Sequence, residues 1–198
     1  MNIACIILAA GKSSRMKQQK MLLPFSGCSV IENVCKASIF SEVKLTIVVS
    51  GSNGTQIQQA IKDLPIQIVH NAEFEKGMLS SVQAGVEEAK EYDAFFILPG
   101  DQPFITSPIF DQLISTYQSS DKGLIVPTFK GKKGHPVLIN SSYAEQIMHL
   151  DHNIGLRQLF HENQTDIQLL ELDSDEILID IDHPEDYTEA LKRFNNET

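Results

Sequence analysis

The chain has 198 residues, 42% of them apolar and 21% charged, a formal net charge of −10 and three cysteines. That length suits a single domain, residues 1–198, with a core large enough to fold without disulfides, and Cys5, Cys28 and Cys35 lack the C-x-x-C spacing of a zinc or redox site, so they read as buried small hydrophobes. The acidic balance argues against a nucleic-acid partner, no run approaches the ~20 apolar residues of a membrane helix, and the short apolar start lacks a signal peptide's basic flank, which together predict a cytoplasmic protein.

Ile3–Leu8 reads as the first strand, and it runs into Leu8, Ala9, Ala10, Gly11, Lys12 and Ser13. Gly11-Lys12-Ser13 resembles the end of a P-loop, but that pattern needs a glycine where Ile6 stands. What remains is a turn of small residues whose backbone can approach a ligand, and whose successive N–H groups can form an anion-binding concavity. Four cations follow within nine residues, Lys12, Arg15, Lys17 and Lys20, and no acidic residue precedes Glu32. Arg15 can grip two phosphate oxygens at once and the lysines act as point charges, so the stretch suits a small polyanion such as a triphosphate.

Leu45–Val49 and Ile66–Val69 read as strands, with a helical pattern at Ile57, Ala60, Ile61 and Leu64 between them. Gly77-Met78-Leu79-Ser80-Ser81 opens a helix whose buried face reads as Met78, Val82 and Val86. Gly77, Ser80 and Ser81 would offer N–H groups and hydroxyls to a nucleotide; simple capping is the competing account. The apolar run Ala94–Leu98 ends in Pro99-Gly100-Asp101-Gln102-Pro103. A carboxylate at a strand's carboxyl end is placed for a hard cation such as Mg²⁺, or else caps the helix expected from near Thr106. That helix carries Phe110, Leu113, Ile114 and Tyr117.

Further strands are expected at Leu124–Val126, Val137–Ile139, Ile167–Leu172 and Ile177–Ile181. Gly134-His135-Pro136 enters one of them, and with Arg157 at a helix start it would suit a second, anionic substrate. Pro184, Glu185 and Asp186 begin a last helix with Lys192 and Arg193 in its final turn. Capping leaves Asp180 and Asp182 unexplained, and these carboxylates would complete a metal site with Asp101. The alternation of strands and helices predicts an α/β fold: a mostly parallel sheet with helices on both faces and a small mixed β region. In such sheets ligands collect at the carboxyl ends of strands, where strand order reverses.

The ordered motifs resemble the nucleotidyltransferases that attach a nucleotide to molybdopterin, most closely the molybdenum cofactor cytidylyltransferase branch. L-A-A-G-x-S-x-R-M-x-x-x-K is matched by Leu8 to Lys20, G-M-x-x-S by Gly77 to Ser81, and G-D-Q-P by Gly100 to Pro103. G-H-P is matched by Gly134 to Pro136, G-x-R by Gly155 to Arg157, and D-x-D-x-P-E-D by Asp180 to Asp186. The resemblance implies a three-layer Rossmann-like nucleotidyltransferase fold, a CTP site made by Leu8–Gly11, Arg15 and Lys20, and Mg²⁺ on Asp101 with Asp182 or Asp180. It implies molybdopterin as acceptor, and a molybdoenzyme or its accessory protein as a further partner. Ala9-Ala10 points to CTP over GTP within that family. The family's usual glycine after R-M is Lys17 here. Other phosphorylated acceptors, such as sugar or polyol phosphates, are the nearest alternative, and a non-catalytic cofactor-handling protein is the alternative of another class.

Overall fold

The computed structural model describes residues 1–16 and 18–197. The strands are β1 (Ile3–Ala9), β2 (Pro24–Phe25), β3 (Cys28–Ser29), β4 (Leu45–Ser50), β5 (Gln67–His70), β6 (Ala94–Pro99), β7 (Leu124–Phe129), β8 (Lys132–Lys133), β9 (Val137–Asn140) and β10 (Ile167–Glu171). The helices are α1 (Val30–Ile39), α2 (Gly54–Ala60), α3 (Met78–Ala89), α4 (Ser107–Ser119), α5 (Ala144–Met148), α6 (Arg157–Glu162) and α7 (Pro184–Glu197). Among the described residues no helix is long and apolar enough to cross a membrane.

The main sheet runs β5-β4-β1-β6-β9-β7-β10, with β8 paired to β7. β1 lies parallel to both β4 and β6, and β9 is antiparallel to β6 and β7, which makes the far half mixed. β1 is buried along its whole length, and its side chains alternate between two cores. Ile3, Cys5, Ile7 and Ala9 pack with residues of α1, α2 and α4, such as Val34, Ile57 and Phe110. Ala4, Ile6 and Leu8 pack on the other face with Leu79, Val82 and Val86 of α3, Ile147 of α5 and Leu159 of α6. This two-sided burial is why the strand runs read as apolar throughout.

A third, smaller core joins Met16, Leu23, Phe25, Val30, Phe104, Ile181 and Ala190 beneath α7. It fixes the segment before α7 beside the loop that follows β1. The chain builds outward from β1 to β4 and β5, then crosses back to β6. The reversal of strand order therefore falls between β1 and β6, and the loops leaving both open on the same crevice.

Three expectations change. Ile177–Ile181 is no strand: Asp175–Leu178 forms a 3-10 turn, and its apolar side chains fill two different cores without joining the ladder. Met78 is 68% exposed, and Leu79 takes the buried position at the start of α3. α7 continues to Glu197, so Lys192 and Arg193 are interior to it; Arg193 Nη1 instead meets Asp175 Oδ1 at 2.8 Å.

Candidate active site

The loop leaving β1 is pressed against the end of β4: a Cβ on Gly51 would lie 2.7 Å from the Ala10 carbonyl oxygen, so only glycine fits there. Beyond the exposed Gly11, Ser13 takes a left-handed backbone conformation, φ 51°. Its hydroxyl accepts from the Lys20 backbone N–H at 3.3 Å and donates to Gln19 Oε1. The loop closes on itself in this way, and Lys20 opens a 3-10 turn, Lys20–Leu22, in a buried position.

Lys20 is the centre of the site. Its Nζ lies 2.5 Å from Asp101 Oδ2, after β6, and 2.6 Å from Asp182 Oδ1, before α7. Arg15 Nη1 meets the other oxygen of Asp182 at 2.8 Å. The late segment is held there by its backbone, since Ile181 N–H donates to the Asp101 carbonyl at 3.0 Å. Asp186 accepts from the N–H groups of Asp182 and His183 at 3.0 and 2.6 Å, capping α7 and turning Asp182 inward.

The electrostatics follow from these contacts. Burial opposes the Lys20 charge, but Asp101 and Asp182 outweigh it and hold its pKa above the usual lysine value. The hydrogen bond from Lys20 holds the Asp182 carboxyl below the usual carboxylate range. Asp180 makes no such pair; partial desolvation of its carboxyl, reinforced by the charges of Asp101 and Asp182, pushes its pKa up. Asp101 keeps one oxygen, Oδ1, buried and without a hydrogen-bond partner. A hard divalent cation fits that donor set of carboxylate oxygens. Among the described residues no three carboxylate, imidazole or thiol groups are gathered to hold a metal by themselves. That suits a cation carried on one or two carboxylates with substrate phosphates supplying the rest.

The start of α3 faces the same loop. Lys12 Nζ reaches Glu75 at 2.5 Å and lies 5.6 Å from the centre of the Phe74 ring. Gly77 has φ 102°, which turns the chain into the helix. The Ser80 and Ser81 hydroxyls do not point outward as expected from the sequence. Both are buried and accept from Asn71 Nδ2, at 2.8 and 3.0 Å, and Ser80 donates back to the carbonyls of Glu73 and Gly77. Their hydroxyls therefore tie the start of α3 to Asn71 and to the turn before it without capping the helix, and Asn71 is the residue that sequence reasoning missed.

On the α3 face of the sheet, between α3 and α6, a cleft of ≈ 990 Å³ opens, lined among others by Leu8, Met78, Gly134, His135, Ile154 and Arg157. A Cβ on Gly134 would lie 2.4 Å from the Ile177 carbonyl oxygen. That same oxygen accepts from His135 N–H at 3.1 Å, so the wall is set by backbone contact. The His135–Pro136 peptide is cis, and Pro136 leads into β9. Burial pushes the His135 pKa below the usual imidazole value, against the opposing charge of Asp101. Arg157 opens α6 on the exposed rim. Of the expected residues, Arg15, Lys20, Asp101 and Asp182 are in direct contact, Asp180 lies in their field, and Leu8 links the crevice to the cleft. Lys17 lies outside the described residues.

Residues 5–167 match the family model of the MobA-like NTP transferase domain. Over 193 residues the chain is 32% identical to the molybdenum cofactor cytidylyltransferase of Escherichia coli (strain K12), covering 97% of each protein. Over 194 residues it is 28% identical to the purine catabolism protein PucB of Bacillus subtilis (strain 168), 92% of each. Among solved structures it matches a nucleotidyl transferase from Methanothermobacter with a TM-score of 0.87 and 23% identity, over 100% of this chain and 99% of that one. It matches molybdopterin-guanine dinucleotide biosynthesis protein A from Archaeoglobus fulgidus with a TM-score of 0.73 and 15% identity, over 98% of this chain and 99% of that one. At those identities the two structures speak to the shared fold.

Proposed function

The chain belongs to the MobA-like NTP transferase family and is a nucleotidyltransferase, and from that premise we propose that it transfers CMP from CTP to the terminal phosphate of molybdopterin, releasing pyrophosphate in the cytoplasm. The observation that carries the reading is the meeting of Arg15, Lys20, Asp101 and Asp182 through contacts of 2.5 to 2.8 Å at the carboxyl ends of β1 and β6.

The triphosphate lies along Leu8–Ser13, with Arg15 on the β- and γ-phosphates and Lys20 on the α-phosphate. The N-terminal turn of α3, from Gly77 to Ser81, backs the nucleoside. Asp101, with Asp182 or Asp180, would hold Mg²⁺, which when bound supplies positive charge to the phosphate oxygens. The acceptor enters the cleft against Gly134, His135 and Pro136, with Arg157 at its rim. Its phosphate attacks the α-phosphorus in line while the bond to the pyrophosphate oxygen breaks. The nucleophile is already anionic at neutral pH, so no general base is needed. The chain's contribution is alignment and charge compensation, which is supported by the concentration of cations at this loop on an otherwise acidic protein.

The test is pyrophosphate release with each of the four nucleoside triphosphates, with and without molybdopterin. Release with CTP only when molybdopterin is added is the expected result. Preference for GTP would overturn the choice of base, and release with a sugar or polyol phosphate but not molybdopterin would overturn the acceptor.

A further inference from the structure

Among the described residues, the buried side-chain nitrogen and oxygen atoms without a hydrogen-bond partner are Gln19 Nε2, Asp101 Oδ1 and Gln102 Oε1. They belong to Asp101 itself and to the chain neighbours of Lys20 and Asp101. Unmet polar capacity is therefore concentrated at the Lys20–Asp101 pair. Asp101 Oδ1 has the chemistry of a cation ligand. Gln19 Nε2 is a donor and needs a different partner.

The orientation of the Gln19 carboxamide is set by Ser13. The Ser13 oxygen accepts the Lys20 backbone N–H at 3.3 Å, and its single proton goes to Gln19 Oε1. A flipped amide would turn an N–H toward that oxygen and break the bond that the hydroxyl proton makes to Oε1. The NH₂ end is thereby left buried and unpaired, a condition that few native side chains sustain without a ligand, an ordered water or a strain to account for it. The neighbouring oxygens do not meet it: Asp101 Oδ1 and Gln102 Oε1 are themselves without a partner, so neither lies within hydrogen-bond reach of Gln19 Nε2. A donor-only group on a loop with Lys12, Arg15 and Lys20 matches an anionic oxygen.

We propose that Gln19 is a phosphate ligand of the nucleotide site: its NH₂ group donates to a non-bridging oxygen of the bound triphosphate, beside Arg15 and Lys20. The proposal rests on the nucleotide-site reading above and adds a neutral donor to a set of charges.

Isothermal titration of CTP and of inorganic tripolyphosphate, at fixed magnesium, tests it in the wild-type protein and in Gln19→Met and Gln19→Glu. Gln19→Met should bind both ligands about tenfold more weakly, by the same factor, because a hydrogen bond to a charged group is lost. Its melting temperature without ligand should change by no more than ~2 °C, since removal of the unpaired donor offsets loss of the oxygen that accepts from the Ser13 hydroxyl. Gln19→Glu keeps the oxygen that accepts from Ser13 and should bind both ligands more weakly still; it carries the test if the Met variant does not fold. Wild-type affinity for tripolyphosphate in both variants would overturn the proposal, as would a loss confined to CTP, which would put Gln19 on the nucleoside. Failure of the wild-type protein to bind either ligand would overturn the nucleotide-site reading itself, and the Gln19 assignment with it.

Discussion

Replacing Lys20 by Met keeps the aliphatic stem and deletes the charge at the centre of the site. The ammonium is 2.5 Å from Asp101 and 2.6 Å from Asp182, and the Lys20 side chain is only 11% exposed. Without it, Asp101, 15% exposed, is left as a buried charge with no counterion. Removing one member of a buried pair costs ~3–5 kcal/mol. Asp182 is 37% exposed and keeps Arg15 at 2.8 Å, so solvent and the second cation absorb most of its share. The low end, ~3 kcal/mol, is therefore expected, and at ~2–4 °C per kcal/mol for a chain of this size the melting temperature should drop by ~6–12 °C.

Adding Asp101→Asn to Lys20→Met removes the stranded charge and should recover at least half of that loss, ~1.5 kcal/mol, and the coupling exceeds this by whatever Asp101→Asn costs alone. The measurement is urea and thermal unfolding of the four proteins of the cycle at pH 7 without nucleotide. Because the folded-state pKa of Lys20 is raised, its contribution is present at neutral pH and is lost as pH rises through that value, so the gap between wild type and Lys20→Met should narrow in strong alkali. Both Lys20→Met and the double variant should lose pyrophosphate release, whatever their stability. A Lys20→Met protein that melts within ~1 °C of wild type, or a double variant no better than the single, would refute the buried-pair account.

Asp180→Asn should raise the melting temperature at neutral pH, because the raised carboxyl pKa means that its charged form is disfavoured in the folded state. The gain should be full above the folded-state pKa and vanish below the ordinary carboxylate value, which thermal unfolding between pH 3 and pH 7 reads directly. Gly134→Ala places a methyl group 2.4 Å from the Ile177 carbonyl oxygen, so the Gly134–His135 wall must shift. A stability loss of ~1–3 kcal/mol and a raised KM for the acceptor are expected, with CTP affinity unchanged by titration calorimetry.

How much of this was legible in the sequence depends on whether the signal was local. The strand runs that became β1, β4 and β6 are buried on both faces, and a continuous apolar run reports that directly. Arg15, Lys20 and Asp101 were legible because polar residues directly after such runs fall at the carboxyl ends of the strands. The Ile177–Ile181 stretch has the same apolar spacing but a different cause. Ile177 enters the core beneath α4, Ile181 enters the core beneath α7, and the backbone between them is tied by His135 N–H to the Ile177 carbonyl and by Ile181 N–H to Asp101. Apolar periodicity reports burial and is silent on strand pairing. Met78 was misread for a related reason, since at the first position of α3 the side chain projects into the cleft while Leu79 turns to the core. Asn71 gave no signal, because its amide is specified by two serine hydroxyls that themselves read as ligand donors. The pairing of Lys20 with Asp182 spans 162 positions and exists only because a small third core docks α7 beside the first loop. The sequence names the charged groups at each strand end; which of them neutralise one another is decided by the packing of Phe25, Phe104 and Ile181, residues with no polar chemistry of their own.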